Sequence, residues 1–143
     1  MNYRRFGEEI VLRVDRGEEA LSAIRSVCAA EGVALASFTG LGAAGRIRAG
    51  LYRVAEKKYF ENVFEGEFEI LSLTGNVTRR EGEVYLHAHV AFADAEGRAY
   101  GGHLNECVIS ATAEIFLHVV SGEAGRLQDE ETGLNLMAFG PEL

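Results

Sequence analysis

In residues 83–92, EVYLHAHVAF, two kinds of side chain alternate, as in a β-strand with one buried face. One face is wholly apolar and is predicted to lie in the core; its members are Leu86, Ala88, Val90 and Phe92. The opposite face bears His87 and His89, which project side by side because residues i and i+2 share a face. This strand therefore predicts both a core and a polar site on its other side.

The strand is followed by a turn signal and a second strand-like segment. Residues 94–97, DAEG, favour a turn, and residues 98–104, RAYGGHL, are predicted to return beside the first strand as a hairpin. His103 can then complete a three-nitrogen face with the two histidines of the first strand. Such a face with an open fourth position is typical of a catalytic rather than a structural metal site.

Two interpretations of these three histidines are open from spacing alone. One divalent ion would satisfy a nitrogen on each ring, and zinc is the default, with nickel, cobalt, copper or iron accepting the same ligands. The alternative is a structural cluster whose rings are held by hydrogen bonds. His118, the fourth histidine, is interpreted as an ordinary packed residue outside the site.

Two further residues are candidates for the same site. Glu114 lies in an otherwise apolar segment and is a weak candidate for the acid or base that a metal-dependent catalyst would need. A paired structural glutamate is the competing interpretation. Cys107 follows His103 by four positions, but a cysteine in an apolar strand is more often a buried, reduced thiol.

The remaining pattern predicts an α+β fold with a mostly antiparallel sheet. Asp15 with Glu18 fits a helix N-cap and capping box, and the helix is expected to end at Gly32. About seven strands follow, including residues 33–39, 46–54, 57–63, 68–77 and 108–120, and two leucines of the tail need a surface to cover. Without a linker or repeat, residues 1–143 are predicted to form a single domain.

The segment GLGAAG, Gly40–Gly45, matches a dinucleotide-binding pattern. That pattern requires a helix to open after the glycines, whereas residues 46–54 alternate as a strand. We therefore expect a turned or flexible strand connection, with the glycines permitting unusual backbone angles or close backbone approach.

Charge and composition limit the partners. The net charge is −8, and its basic residues are scattered, which opposes binding to nucleic acid by this chain alone. No apolar run reaches the roughly 20 residues of a membrane span, and no secretory signal is evident, so a cytoplasmic location without membrane contact is expected.

Four motifs together resemble the PPC family, a domain of unknown function found in plants and prokaryotes. They are GEFEILSLTG (66–75), LHAH (86–89), GGHL (101–104) and ATAEI (111–115), and the tail DEETGLNL (129–136) resembles prokaryotic members. The resemblance implies a strongly curved mixed sheet with one principal helix near the N-terminus, and a homotrimer. It also implies a metal site on His87, His89 and His103, similar to the zinc site of acetolactate decarboxylase.

Plant members of this family bind DNA through a separate AT-hook with an Arg-Gly-Arg-Pro core. The single proline here, Pro141, follows Gly140, so that element is missing from this sequence. Three functional hypotheses follow: a metal-binding homotrimer whose site takes a small molecule, a non-enzymatic association module linked to regulation, and a metal-dependent lyase or hydrolase. Whether the site is catalytic stays open.

Overall fold

A computed structural model describes residues 1–140, which form one α-helix, a 3₁₀ turn and eight strands. The N-terminal part comprises β1 (Asn2–Phe6), β2 (Glu9–Asp15) and the helix α1 (Ala20–Ala30). Three long strands and one shorter strand follow: β3 (Ala36–Arg53), β4 (Lys58–Arg80), β5 (Glu83–Ala93) and β6 (Ala99–Val119). The tail contains β7 (Gly125–Gln128) and β8 (Asn135–Ala138). The predicted α+β class is confirmed.

The main sheet has the order β1-β2-β6-β3-β4-β5, and β5 also pairs with the start of β6. Strands β3, β4, β5 and β6 therefore pair in a closed circuit, which gives the sheet its strong curvature. Every strand pairing within residues 1–140 is antiparallel, so the sheet is not mixed as the family resemblance implied. The reason is that β6 lies between β2 and β3, the two co-directional strands that the helix connects.

The helix begins four residues later than the capping pattern predicts. Glu19 is the N-cap, and its carboxylate accepts hydrogen bonds from the amides of Leu21 and Ser22 at 3.0 and 2.7 Å. The predicted cap at Asp15 is wrong because Gly17 adopts a φ of +85°, which places a turn before the helix. The predicted end of the helix at Gly32 is close to the observed end, since Glu31 is the C-cap and Gly32 follows with a φ of +63°.

Several predicted strand breaks are bulges inside continuous strands. The glycine-rich segment Gly40–Gly45 lies within β3, with register shifts against β4 and β6, and no helix follows it. The predicted connection between two strands at these glycines is therefore wrong, but the predicted close approach of another backbone is present. A Cβ at Gly42 would lie 2.3 Å from the carbonyl oxygen of Thr112 on β6. The strands predicted at residues 98–104 and 108–120 likewise form one strand, β6, which runs from Ala99 to Val119.

The core lies between the helix and the concave sheet. Its apolar residues include the predicted inward face of β5, on which Ala88, Val90 and Phe92 are buried. From the helix, Ile24, Val27 and other residues of one face pack into the same cluster. Burying this face of β5 fixes its register, because a one-residue slip would move the histidines inward.

Within residues 1–140, no helix has the length and apolar composition needed to cross a membrane.

Candidate metal centre

The three predicted histidines lie together on the β5–β6 hairpin. His89 and His103 are directly paired across the two strands, and His87 lies two residues before His89 on the same face. The ring centroids are 5.2 Å apart for His87 with His89, 5.2 Å for His87 with His103, and 5.6 Å for His89 with His103. The sequence thus predicted the convergence of all three rings.

The spacing of the ring nitrogens fits a shared ion. One nitrogen from each of His87, His89 and His103 lies within 4.8 Å of the other two. A tetrahedral zinc with Zn–N bonds of about 2.0–2.1 Å holds its nitrogens roughly 3.4 Å apart. Small rotations of the rings would close this difference. The donor set is therefore compatible with zinc or another divalent transition metal.

Two glycines allow the strands to meet closely at the cluster. His103 pairs with His89 on one side and with Gly50 of β3 on the other, so β6 is held between β5 and β3 at this point. A Cβ at Gly102 would lie 2.5 Å from the carbonyl oxygen of Gly50. At Gly50 itself, a Cβ would lie against the backbone of Phe60. Larger residues would push the strands apart and displace the His103 ring.

The environment favours the neutral, metal-binding form of two of the imidazoles. Burial lowers the pKa of His87 below its ordinary value, and the neighbouring His103, His89 and Arg126 lower it further. Burial also lowers the pKa of His103, with a smaller contribution from His89. Because a protonated imidazole cannot ligate a metal, lower pKa values favour ligation at neutral pH.

The histidines form one wall of a cavity of about 480 Å³. Tyr52, Tyr59 and Tyr85 add hydroxyl groups to its lining, and Leu51, Leu134 and Leu136 add apolar surface. The Tyr59 hydroxyl donates a hydrogen bond to the carbonyl oxygen of His103 at 3.0 Å, which holds the strand position next to the cluster. Among the described residues that line this cavity, none has a carboxylate side chain.

The tail forms the cover of this cavity. The Tyr52 hydroxyl donates to the carbonyl oxygen of Thr132 at 2.9 Å, and the Lys57 ammonium donates to that of Glu130 at 2.6 Å. These bonds fix the loop between β7 and β8 over the sheet. The surface that the tail leucines were predicted to cover is thus the histidine pocket, a role that sequence reasoning did not assign to the tail.

Arg126 of β7 is another residue of the site that sequence reasoning missed. Its guanidinium donates to Thr78 Oγ1 at 3.1 Å, to Asn76 Oδ1 at 2.6 Å and to the carbonyl oxygen of Asn135 at 3.1 Å. It also stacks on the Tyr85 ring, with 5.0 Å between the guanidinium carbon and the ring centroid. No local pattern marks this arginine, because its partners on β4 are about 50 residues away in the chain.

The structure does not bring Glu114 to the histidines. Glu114 is exposed on β6, paired across the sheet with Arg13 and with Leu41, and it is eleven residues beyond His103 on the same strand. At about 3.3 Å per residue this separation is on the order of 30 Å along the strand. The glutamate is not part of the pocket lining.

Cys107 faces the core rather than the histidines. It is fully buried, and burial raises the pKa of its thiol to about 12. Its backbone amide donates to the carboxylate of the helix cap Glu19 at 3.0 Å, so this position helps to fix the helix on the sheet. The buried-thiol interpretation fits these contacts.

His118 is also separate from the cluster, but it is not packed as expected. Its ring is exposed, and Nδ1 lies 2.6 Å from a carboxylate oxygen of Glu9 on the adjacent strand β2. The alternation of β6 explains this difference, since Leu117 and His118 face opposite sides of the sheet.

Comparison with solved structures gives the same fold over nearly the whole chain. A candidate DNA-binding protein from Bacteroides thetaiotaomicron is 26% identical, with a TM-score of 0.94 over 96% of each chain. A plant- and prokaryote-conserved (PPC) protein from Pyrococcus horikoshii is 34% identical, with a TM-score of 0.84 over 94% of this chain and 92% of that one. A metal-containing protein from Archaeoglobus fulgidus is 31% identical, with a TM-score of 0.86 over 95% and 97%.

More distant similarities give less information about this chain. α-Acetolactate decarboxylase from Bacillus subtilis is 10% identical with a TM-score of 0.54, over 85% of this chain and 57% of that one, which shows a related fold alone. Among curated proteins, the bifunctional protein GlmU of a Synechococcus strain is 38% identical over 78 residues. That segment is 54% of this chain and only 12% of the length of that protein.

The family model of the Plants and Prokaryotes Conserved domain, abbreviated PCC or PPC, matches residues 1–121. The match includes α1, the histidine hairpin and all six strands of the main sheet, and it ends before β7. The family that the sequence motifs resemble is therefore confirmed. This chain belongs to the Plants and Prokaryotes Conserved domain family.

Proposed function

We propose that this chain is a metal-binding domain in which His87, His89 and His103 hold one divalent ion at the wall of a small-molecule pocket. The convergence of three ring nitrogens within 4.8 Å is the observation that supports the proposal most strongly. The 31% identity to the metal-containing Archaeoglobus fulgidus protein supports it independently. Zinc is the proposed ion, because three neutral imidazoles with an open fourth position suit it well.

The fourth coordination position would face the cavity and be open to water or to a ligand oxygen. A bound zinc ion acts as a Lewis acid that polarises such an oxygen or lowers the pKa of water. The residues around it supply tyrosine hydroxyls and a guanidinium, and Glu114 lies elsewhere. A lyase or hydrolase would therefore have to move protons through the tyrosines, so the function that we propose is ligand binding at the metal.

We also propose a homotrimer as the assembled form. Large apolar side chains are exposed on neighbouring central strands, with Leu41 on β3, Leu71 on β4 and Phe116 on β6 each more than half exposed. Thr39 pairs with Phe116 and Glu114 with Leu41, which places Leu41 and Phe116 diagonally on one outward face. Large exposed apolar side chains grouped on one outward face in this way favour contact with other subunits.

The metal proposal is tested by elemental analysis of protein prepared without a histidine tag. We expect close to one zinc per chain in the wild type, and a loss of zinc in His87→Ala. His118→Ala is the matched control, since it removes an exposed imidazole of the same chain outside the cluster. The proposal fails if no metal copurifies or rebinds, or if His87→Ala retains the wild-type metal content.

The trimer is tested by light scattering during size-exclusion chromatography. Phe116→Glu is expected to convert trimer to monomer, because it places a charge on the apolar face. Phe6→Glu changes an equally exposed aromatic residue on the edge strand β1 and serves as the control. A monomeric wild type, or a trimer unaffected by both Leu41→Glu and Phe116→Glu, would contradict this assignment.

A second candidate function is a non-enzymatic association module linked to transcriptional regulation. The similarity to the candidate DNA-binding protein from Bacteroides thetaiotaomicron favours it. The net charge of −8 opposes direct contact with DNA, because phosphate neutralisation provides much of such affinity. Fluorescence anisotropy with labelled duplex at physiological salt should show no binding; saturable binding would favour this second function.

A further inference from the structure

Arg126 is a buried cation whose hydrogen-bond partners are all neutral. The residue is about 9% exposed, and its three acceptors are a hydroxyl, an amide oxygen and a backbone carbonyl. Within residues 1–140, no carboxylate lies within 4 Å of its guanidinium. A buried charge without a counter-charge is costly, because the protein interior does not replace the solvation that the charge loses.

Burial disfavours the charged form of this group. It lowers the pKa of the Arg126 guanidinium, and the interaction with Tyr85 opposes this only in part. The stacked Tyr85 ring offers a cation–π contact but no negative charge. An anion supplied from outside the chain would offset the desolvation that the protein itself leaves uncompensated.

The guanidinium lies beside the histidine cluster. Asn76, which accepts its shortest hydrogen bond, is the cross-strand partner of His87 on β5. Thr78, a second acceptor, is the cross-strand partner of Tyr85. Directly opposed residues of a sheet share a face with Cβ atoms about 4.5–5.5 Å apart. Arg126 therefore covers the same face of the β4–β5 pair that presents His87.

The remaining hydrogen-bonding capacity suits a carboxylate. An arginine side chain has five N–H donors, and three of those on Arg126 are used within the protein. The two that remain can bind a carboxylate, whose two oxygens match a pair of guanidinium N–H groups. The cavity of about 480 Å³ is of a size that encloses a small metabolite, and its leucines would contact an aliphatic chain.

We propose that Arg126 is the anion-binding subsite of the histidine pocket, and that the pocket takes a small organic acid. The carboxylate of this acid pairs with Arg126, and a second oxygen on the same molecule ligates the metal. The second contact rests on the proposed metal site at His87, His89 and His103, whereas the first depends only on Arg126 and its surroundings.

The guanidinium also borders a second cavity, of about 750 Å³, next to the turn at residues 79–82. The described residues that line this cavity include no histidine and no cysteine, so a ligand there would have no contact with the proposed metal. Dependence of ligand affinity on the metal therefore distinguishes the two sides of Arg126.

The experiment uses three dicarboxylates, malonate, succinate and glutarate, which differ only in chain length. Each is titrated calorimetrically into the full chain in zinc-loaded and metal-free form, with inorganic phosphate and the neutral diamide succinamide for comparison. We expect at least one dicarboxylate to bind the zinc-loaded protein, more weakly without zinc, and succinamide not to bind. The preferred chain length measures the distance between the metal and the guanidinium.

Arg126→Gln should weaken dicarboxylate binding at least tenfold while the zinc content stays at the wild-type value. Arg98→Gln, which changes an exposed arginine paired with Asp94 and Glu96 at the hairpin turn, is the matched control and should bind normally. Circular-dichroism melting shows whether each variant is folded. If Arg126→Gln is unfolded, Arg126→Lys replaces it and should show a smaller loss, because it keeps the charge without the planar fork.

The proposal is overturned if no dicarboxylate binds, if Arg126→Gln binds them as well as the wild type, or if phosphate binds more tightly with the same dependence on Arg126. If the protein holds zinc, equal affinity of the zinc-loaded and metal-free forms would overturn the metal contact and assign the anion to the second cavity. A protein that holds no zinc would defeat the proposed function alone, since binding that still requires Arg126 would support the anion subsite.

Discussion

His103 and His118 lie on the same strand, β6, yet their surroundings differ completely. His103 is half-buried between β5 and β3, where two other imidazoles and the Tyr59 ring surround it. His118 is exposed at the far end, where its Nδ1 lies 2.6 Å from a carboxylate oxygen of Glu9. The residue type is the same, so the difference arises from where β6 pairs: its start joins the hairpin, and its end lies between β2 and β3. A histidine is a candidate ligand here because of the strands beside it.

The largest expected effect is a difference in zinc affinity between variants of these two histidines. His103→Ala should reduce zinc affinity by at least about 100-fold, since even residues that only orient metal ligands contribute roughly 10–100-fold. His118→Ala should leave the affinity unchanged. Competition with a fluorescent zinc chelator measures both. Equal loss in the two variants, or none in either, would remove the contrast between the two ends of β6.

Substitutions on the two faces of β6 should differ strongly in their effect on the stability of the protein. Ile115 is fully buried, and Ile115→Ala is expected to lower the free energy of unfolding by about 2–5 kcal/mol through lost burial and a residual cavity. Glu114→Ala, one residue earlier on the exposed face, should change it by less than about 0.5 kcal/mol.

Urea denaturation followed by circular dichroism measures both values. Zinc content should be normal in Glu114→Ala, because this carboxylate is remote from the pocket. A loss of zinc in that variant would return Glu114 to the site and contradict the separation of the two ends of β6.

A smaller effect is expected where the helix meets β6. Glu19→Ala removes the carboxylate that accepts from Leu21, Ser22 and the Cys107 amide, and should lower the free energy of unfolding by about 0.5–2 kcal/mol. Asp15→Ala, at the cap position that the sequence pattern favours, should cost less because no helix amide contacts it. If chemical denaturation gives the reverse order, the observed helix start is wrong.

The two cysteine thiols should be almost unreactive in the native protein. Burial raises the pKa of Cys28 to about 11 and that of Cys107 to about 12, so both remain neutral thiols at pH 8. Because the thiolate is the reactive form, Ellman's reagent should detect neither thiol until the protein is denatured, and then both. Rapid reaction of native Cys107 would place it in an accessible site and reopen a role beside His103.

The histidine face and the core face of β5 could be predicted because their information is local. An alternation with period two assigns His87 and His89 to one side, and a short turn returns His103 to the same place. The family motifs lie mostly on this hairpin and on neighbouring strands, which is why the resemblance and the α+β class were also accessible. The glycines of β3 led to the wrong prediction of a strand connection, because a bulge and a turn have the same local composition.

The rest of the site depends on long-range pairing. Arg126 reaches Asn76 and Thr78 only because the tail folds back over β4, and no periodicity connects these segments. Tyr59 likewise contacts His103 from 44 residues away. Such contacts follow from the closed circuit of strands, whose register is set by bulges that a single sequence does not reveal.

The central claim is that His87, His89 and His103 bind one metal ion. Crystals of the untagged protein grown with zinc, measured on both sides of the zinc absorption edge, test it most directly. We predict one strong anomalous peak per chain at about 2.0–2.1 Å from a nitrogen of each of the three rings. No peak at the cluster in protein saturated with zinc, or a peak bound by other residues, would contradict the claim.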